Sequence, residues 1–222
     1  MLICGTALFL LPASSTEITE EIVPASLRHW HQQAVTDGFD GLVLVMQAGK
    51  PLLLQAYGMA DYEANNAFTI ETVFDIGSLT KQFTAAAILK LQEQGKLQLD
   101  DTLGRFFPEA GDDKKTITLH QLLTHTSGIV NNLSGGDYSK VSRNTFIKRL
   151  FRSQLDTTPG SAFSYSNAGY AVLGLVIERA SGQSYEQYVH QHLLKPAGIA
   201  HTGYRIPNWK NLPLAAGYEL IP

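Results

Sequence analysis

Ser78 and Lys81 are the two residues whose types and spacing most directly suggest chemistry. They lie where a strand-like run, residues 72–76, breaks at Gly77 and a long helical pattern begins. Residues three apart on a helix share a face, so the hydroxyl and the amine would be neighbours. A hydroxyl beside a basic group that can take its proton is the arrangement of an acyl-transfer nucleophile. The alternative is a serine that caps a helix and a lysine that is simply solvated.

Tyr165 and Asn167 form a second polar group, after the loop of residues 158–164 and just before another helical pattern. A tyrosine close to an ammonium group ionises more readily, because the positive charge favours the phenolate. Such a tyrosine can act as a general base toward a serine. The asparagine amide can orient a substrate carbonyl. The alternative is a loop tyrosine that only packs against its neighbours.

The order of elements that must position these residues is typical of an α+β fold. A hairpin signature places strands at residues 41–47 and 51–57, and residues 72–76 are a candidate third strand. Helices are predicted over residues 20–37, from Lys81 to a stop at Gly95, and from the capping box at Thr118 to a stop at Gly128. Three more are predicted over residues 144–154 and 167–180 and, after a second cap at Ser184-x-x-Gln187, over residues 185–194.

Five segments follow one another along the chain in a recognisable order: residues 74–81 (FDIGSLTK), 95–101 (GKLQLDD), 117–128 (ITLHQLLTHTSG), 159–170 (PGSAFSYSNAGY) and 181–185 (SGQSY). Together they resemble the large β-lactamase-related serine hydrolase family. This family includes class C β-lactamases, D-alanyl-D-alanine carboxypeptidases, D-aminopeptidases and lactamase-like esterases, and the S-x-x-K spacing is one of its marks. The resemblance covers roughly residues 41–203.

The resemblance implies a role for each residue of the two polar groups. Ser78 would be the nucleophile, Lys81 its activating partner, Tyr165 the base, and Asn167 a substrate-orienting residue. It implies a β-lactamase/penicillin-binding-protein-like transpeptidase fold, in which an antiparallel sheet is flanked by a helical region. It also implies a serine hydrolase of small molecules or peptides, with neither a cofactor nor a metal. The substrate would be a β-lactam, a D-Ala peptide or a carboxyl ester, and the competing hypothesis is a non-catalytic fragment or binding protein with the same fold.

A departure from the family concerns its third motif, Lys-Thr-Gly or His-x-Gly on a late strand. Downstream of Tyr165 only His201-Thr202-Gly203 matches this motif, and it lies too close to Tyr165 in the sequence. We therefore expect residues 16–222 to be a partial domain whose final strands are missing. In the family one of the two oxyanion-hole donors comes from such a strand. His125, inside the third matched segment, is predicted to be structural.

The charge of the chain and its N-terminal stretch indicate which partners and which compartment to expect. The 17 basic and 20 acidic residues give a net charge of −3, and without a basic block nucleic acid is an unfavourable partner. Residues 2–11 are almost wholly apolar and are followed by small residues, which is typical of a secretory signal. The sequence thus predicts a signal peptide at residues 1–15 and export to the periplasm or the medium. His120 and His125 are five apart, a poor spacing for zinc on one helix face.

Overall fold

The computed structural model describes residues 24–133, 141–204 and 212–218. Their contacts divide the chain into two compact units. One unit spans residues 76–198 and contains all four predicted site residues. The other comprises residues 24–75 together with the described residues after position 198. The predicted signal peptide lies outside the described residues.

The first part of the chain forms helix α1 (Ala25–Thr36) and an antiparallel hairpin of β1 (Gly41–Gln47) and β2 (Lys50–Tyr57). The hairpin was predicted from the two apolar runs and is confirmed. A shorter pair, β3 (Met59–Asp61) and β4 (Asn66–Ala67), follows and was not predicted. With two or three residues each, these strands are too short to show an alternating pattern.

Aromatic packing joins α1 to the hairpin. Tyr57 is 5% exposed, and its ring meets Trp30 and Phe39 edge-on at centroid distances of 6.2 and 5.8 Å. The Tyr57 hydroxyl also lies 2.8 Å from His31 Nδ1. Edge-to-face aromatic pairs are stabilising beyond the area that they bury, by about 0.5–1.5 kcal/mol each.

The third strand predicted at residues 72–76 does not form as a continuous strand, and this run contains only single bridge positions at Val73 and Asp75. Val73 forms only an isolated parallel bridge with Leu214, through its N–H to Pro213 O and its carbonyl to Ala215 N–H, both at 2.8 Å. The preceding residues form a turn instead, because the Thr72 hydroxyl accepts from the Thr69 N–H at 2.9 Å. Local side-chain bonds of this kind compete with a strand ladder.

The remainder of the described chain is mainly helical. Every helix predicted after residue 80 is found, and two short helices are additional. Most ends are shifted by one or two residues. The helix predicted to stop at Gly128 already ends at Leu123, because the left-handed backbone of His125, with a φ of +57°, cannot continue it. The last helix is continued by a π-helical turn. The helices are α2 (Thr80–Glu93), α3 (Leu103–Phe106), α4 (Asp112–Lys115), α5 (Leu119–Leu123), α6 (Arg143–Arg152), α7 (Asn167–Ser181) and α8 (Tyr185–Val189), the last followed by the π-helical turn His190–Leu194.

Helix α7 is the core of this helical unit and packs against α2, α3, α5 and α8. Its buried residues include Val172, Leu173, Val176 and Ile177, each less than 1% exposed. Burying a side chain of this size stabilises by about 1.5–3 kcal/mol. Because α2 and α7 pack on each other, the segments at their N-terminal ends are held within one unit.

Two capping boxes that the sequence predicts are present. The Thr118 hydroxyl accepts from the Gln121 N–H at the start of α5, and Ser184 and Gln187 make the same exchange at α8. Each cap satisfies backbone donors that the first helical turn leaves unpaired. In the part of the chain that the structure describes, no helix is long and apolar enough to cross a membrane.

Candidate active site

Ser78 lies in a single 3-10 turn, Gly77–Leu79, that leads directly into α2. Gly77 has a φ of +51°, a conformation that few other residues adopt without strain, and this bend precedes the turn that carries the serine. The Ser78 side chain is exposed. Lys81, in the first turn of α2, donates from Nζ to Ser78 Oγ at 3.1 Å. The predicted sharing of one face is therefore confirmed.

Tyr165 and Asn167 flank the residue that caps α7. Ser166 is that cap, and its hydroxyl accepts from the Gly169 N–H at 2.8 Å. The Tyr165 hydroxyl lies 2.7 Å from Ser78 Oγ, and Asn167 Oδ1 accepts from Lys81 Nζ at 2.7 Å. Two pairs of residues more than 80 positions apart thus meet in one hydrogen-bonded chain.

The donors and acceptors show in which direction a proton can move along these hydrogen bonds. The Lys81 ammonium donates to both Ser78 Oγ and Asn167 Oδ1. A serine hydroxyl has one proton and two lone pairs, so Ser78 can accept from Lys81 while donating to the Tyr165 oxygen. The same ammonium lies 4.7 Å from the centre of the Tyr165 ring. A positive charge at this distance favours the phenolate form of a tyrosine.

A second tyrosine, Tyr170, borders the site but is differently placed. Its hydroxyl donates to the Leu123 carbonyl at 3.0 Å. Burial raises its pKa, and the neighbouring Tyr165 raises the pKa further. Tyr170 therefore stays protonated. Its hydroxyl binds a backbone carbonyl, whereas the Tyr165 hydroxyl lies beside Ser78 Oγ, and the sequence could not reveal this difference.

His125 was predicted to be structural, and the structure places its ring against the site. The ring centroids of His125 and Tyr165 are 4.6 Å apart, and those of His125 and Tyr170 are 5.0 Å apart. His125 Nδ1 accepts from the Ser166 N–H at 3.1 Å. Burial lowers the pKa of His125, and the charge of Lys81 lowers the pKa further. A neutral imidazole is also what an accepting Nδ1 requires.

Asn131 is a neighbour of the site that sequence reasoning missed. Its side-chain Oδ1 accepts from the Asn167 N–H at 3.0 Å, and its carbonyl accepts from the Ala168 N–H at 2.9 Å. An asparagine 36 residues away, outside every matched segment, gives no signal in the sequence.

Gly128 fixes the loop between His125 and Asn131. Its φ is +73°, and a Cβ added there would lie 2.0 Å from the Thr157 carbonyl oxygen. The Asp156 N–H donates to the Gly128 carbonyl at 2.8 Å. The loop is thus held against the segment that leads to Tyr165, and only glycine fits at this close approach.

Other polar residues do not join the site. Within residues 24–133, 141–204 and 212–218, no three His, Cys, Asp or Glu side chains cluster as a metal site would require. His201 lies in a bend of the other unit and on neither of the described sheets. The absence of a metal and of a cofactor stays a prediction.

Comparison with known proteins adds an independent observation. A family profile described as Beta-lactamase matches residues 28–221. Protein flp of Staphylococcus aureus (strain MW2) is 37% identical over 185 residues, which cover 80% of this chain and 37% of that protein. Putative penicillin-binding protein PbpX of Bacillus subtilis (strain 168) is 36% identical over 186 residues, or 82% of this chain and 46% of that protein.

A solved structure supports the same fold. The octameric penicillin-binding protein homologue from Pyrococcus abyssi superposes with a TM-score of 0.74 and 31% identity, over 88% of this chain and 48% of that one. The chain spans less than half the length of each of these three proteins. The α+β fold class and the family resemblance are confirmed by these matches.

Proposed function

Because the chain belongs to the Beta-lactamase family, whose members are serine hydrolases, we propose that it cleaves an ester or amide through an acyl-enzyme on Ser78. The observation that carries the proposal is the hydrogen-bonded chain from Tyr165 through Ser78 to Lys81. It supplies an exposed nucleophile, a proton acceptor and a fixed positive charge within one site.

Acylation would begin with attack of Ser78 Oγ on the substrate carbonyl carbon. The serine proton passes to the Tyr165 oxygen, which Lys81 keeps receptive through its charge. The carbonyl carbon then loses its leaving alkoxide or amine, which takes a proton from Tyr165. General base catalysis of this kind contributes about 10²–10⁴ to the rate.

Deacylation would reverse the roles with water as the nucleophile. Water attacks the acyl-serine carbon and gives one proton to Tyr165, which returns it to Ser78 Oγ as the acid leaves. Asn167, whose Oδ1 is bound to Lys81, keeps an amide N–H₂ that can orient the acyl group. The Ser78 backbone N–H would be one donor to the developing oxyanion.

The proposed substrate class is a small molecule or peptide with a carbonyl that is open to attack. β-Lactams, D-Ala peptides and carboxyl esters all meet this requirement. The similarity to proteins named as penicillin-binding, at 36% and 31% identity, favours the first two. We also propose export, on the basis of the apolar stretch at residues 2–11, which N-terminal sequencing of the protein expressed in a bacterial host would test.

Covalent labelling tests the proposed nucleophile. The purified protein is treated with a fluorophosphonate or with penicillin and digested, and the modified peptide is mapped by mass spectrometry. We expect a single adduct on Ser78 that Ser78→Ala abolishes. The matched control is Ser161→Ala, since this exposed serine lies only four residues before Tyr165. An adduct on Ser127, Ser164 or Ser166 would overturn the assignment.

The outcome of labelling also separates enzyme from binding protein. Turnover of nitrocefin, p-nitrophenyl acetate and a D-Ala-D-Ala peptide by the wild type, beside Ser78→Ala, identifies the substrate class. A folded protein that binds penicillin without forming an adduct would instead support the competing hypothesis of a non-catalytic member of the family.

A further inference from the structure

One loop, residues 125–131, makes several hydrogen bonds to the segment that carries Tyr165. The backbone N–H of Ser164, in this segment, donates to the carbonyl of His125, in the loop, at 2.7 Å. The backbone N–H of Ser166 donates to Nδ1 of the His125 side chain at 3.1 Å. The Ser166 hydroxyl donates to the Val130 carbonyl at 2.9 Å. With the two bonds to Asn131 described above, the loop accepts from residues on both sides of the tyrosine.

His125 is the member of this loop that contacts both the backbone and the reactive ring. Its side chain binds the amide next to Tyr165, and its ring lies at a 30° tilt to the tyrosine ring. It adopts a φ of +57°, which is uncommon for residues other than glycine, although histidine adopts it more often than most. Such a conformation persists only where surrounding contacts enforce it, and it concentrates at functional sites.

We propose that His125 is a positioning residue, which holds Tyr165 within hydrogen-bonding distance of Ser78 and does so only as a neutral imidazole. The inference rests on the proposed function and adds to it a dependence on pH. When protonated, both ring nitrogens donate, so Nδ1 can no longer accept from the Ser166 N–H. The protonated ring would also face the ammonium of Lys81. The Ser166 amide would lose its partner, and the tyrosine would lose its placement.

Among the residues that the structure describes, few other groups that face His125 could produce this pH dependence. Lys81 is the charged group that acts on it, and Tyr165 and Tyr170 are the titratable rings in contact with it. Phe163, edge-on at 5.7 Å, does not titrate. Protonation of His125 is therefore opposed by Lys81 and by burial, and lower pH is needed to reach it than for a solvated histidine.

Labelling rates of Ser78 in a set of variants test this inference. His125→Ala removes the ring and the acceptor, and we expect the rate to fall about 10–100-fold, the cost of a reacting group displaced by about 1 Å. His125→Asn keeps an acceptor and tolerates a positive φ, so it should recover part of that loss. His120→Asn, the same change at an exposed histidine of α5, should leave the rate unchanged.

Two further readouts separate positioning from a merely structural role. If His125 acts through Tyr165, adding His125→Ala to Tyr165→Phe should lower the labelling rate by less than about threefold. The reason is that effects within one functional unit do not add. The acid limb of the rate–pH profile should also change in His125→Asn, which has no imidazole to protonate. Fully multiplicative losses, or an acid limb identical to the wild type, would refute the positioning role.

The experiment distinguishes the two proposals. If the wild type forms no Ser78-dependent adduct, the proposed function fails. If the adduct forms normally in the wild type and at the same rate in folded His125→Ala and His125→Asn, only the positioning role fails. Thermal melts of each variant show that the rates compare folded proteins.

Discussion

The two halves of the candidate site are built in different ways. Ser78 and Lys81 are three residues apart, and the 3-10 turn that leads directly into α2 sets their distance. Tyr165 and Asn167, called the turn-borne half below, lie where the chain turns from a loop into α7. The side-chain partners of this junction are 36 and 41 residues away, in the loop of residues 125–131. The helix-borne half is thus local in origin and the turn-borne half is tertiary. Substitutions outside the four residues should therefore affect the turn-borne half far more.

The largest expected effect comes from removing the reactive atom of the turn-borne half. Tyr165→Phe deletes one hydroxyl and keeps the ring, so the fold should survive while acylation of Ser78 slows about 10²–10⁴-fold. Tyr170→Phe is the matched control, because it loses only a neutral bond to Leu123 and should keep the rate. Stopped-flow labelling of both variants measures this, and equal losses would show that Tyr165 is a packing residue.

Gly128→Ala should disturb the turn-borne half through the loop that holds it. The new Cβ would overlap the Thr157 carbonyl, and the positive φ adds strain, so we expect about 3 kcal/mol less stability and slower labelling. Gly182→Ala is the control: its φ is +72° but nothing lies within 4 Å, so it should cost only about 1 kcal/mol. Chemical denaturation of both variants isolates the overlap from the strain. Equal costs would mean that the backbone gives way at Gly128.

The difference between the two halves also explains what the sequence could reveal. The hairpin, the capping boxes and α2 follow from patterns within about a dozen residues, and their prediction succeeded. The Ser78–Lys81 contact is part of the same local geometry. Asn131 and the ring contact of His125 depend on how loops meet after folding, and no spacing in the chain encodes them. The roles of Tyr165 and Asn167 were therefore inferred from the family resemblance, whereas their position beside Ser78 comes from the structure.

Two helix caps give a smaller and more selective comparison. Ser166→Ala removes the cap of α7 together with the bond to Val130, so we expect a cost of about 1–2 kcal/mol and a slower labelling rate. Ser142→Ala removes the cap of α6, which none of the four predicted residues adjoins, and should cost about 1 kcal/mol with an unchanged rate. Thermal melts and labelling rates of both variants test this expectation. If Ser142→Ala slowed labelling as much as Ser166→Ala does, the cap of α7 would have no special role at the site.

The smallest expected effect is the contribution of His125 to stability as the pH changes. Its pKa is lowered in the folded protein by burial and by Lys81, whereas in the unfolded chain it is near the ordinary value of about 6.5. Below that value the unfolded chain binds more protons than the folded one, so stability falls with pH. The contribution is complete above about pH 6.5 and is lost as the pH falls through the lowered folded value. As the pH falls from 6.5 through the lowered pKa of His125 in the folded protein, the free energy of unfolding should decrease more steeply for the wild type than for His125→Asn. His120→Asn, the same change at an exposed histidine of α5, should keep the wild-type slope. Equal slopes for all three proteins would place the ring of His125 in solvent rather than against the site.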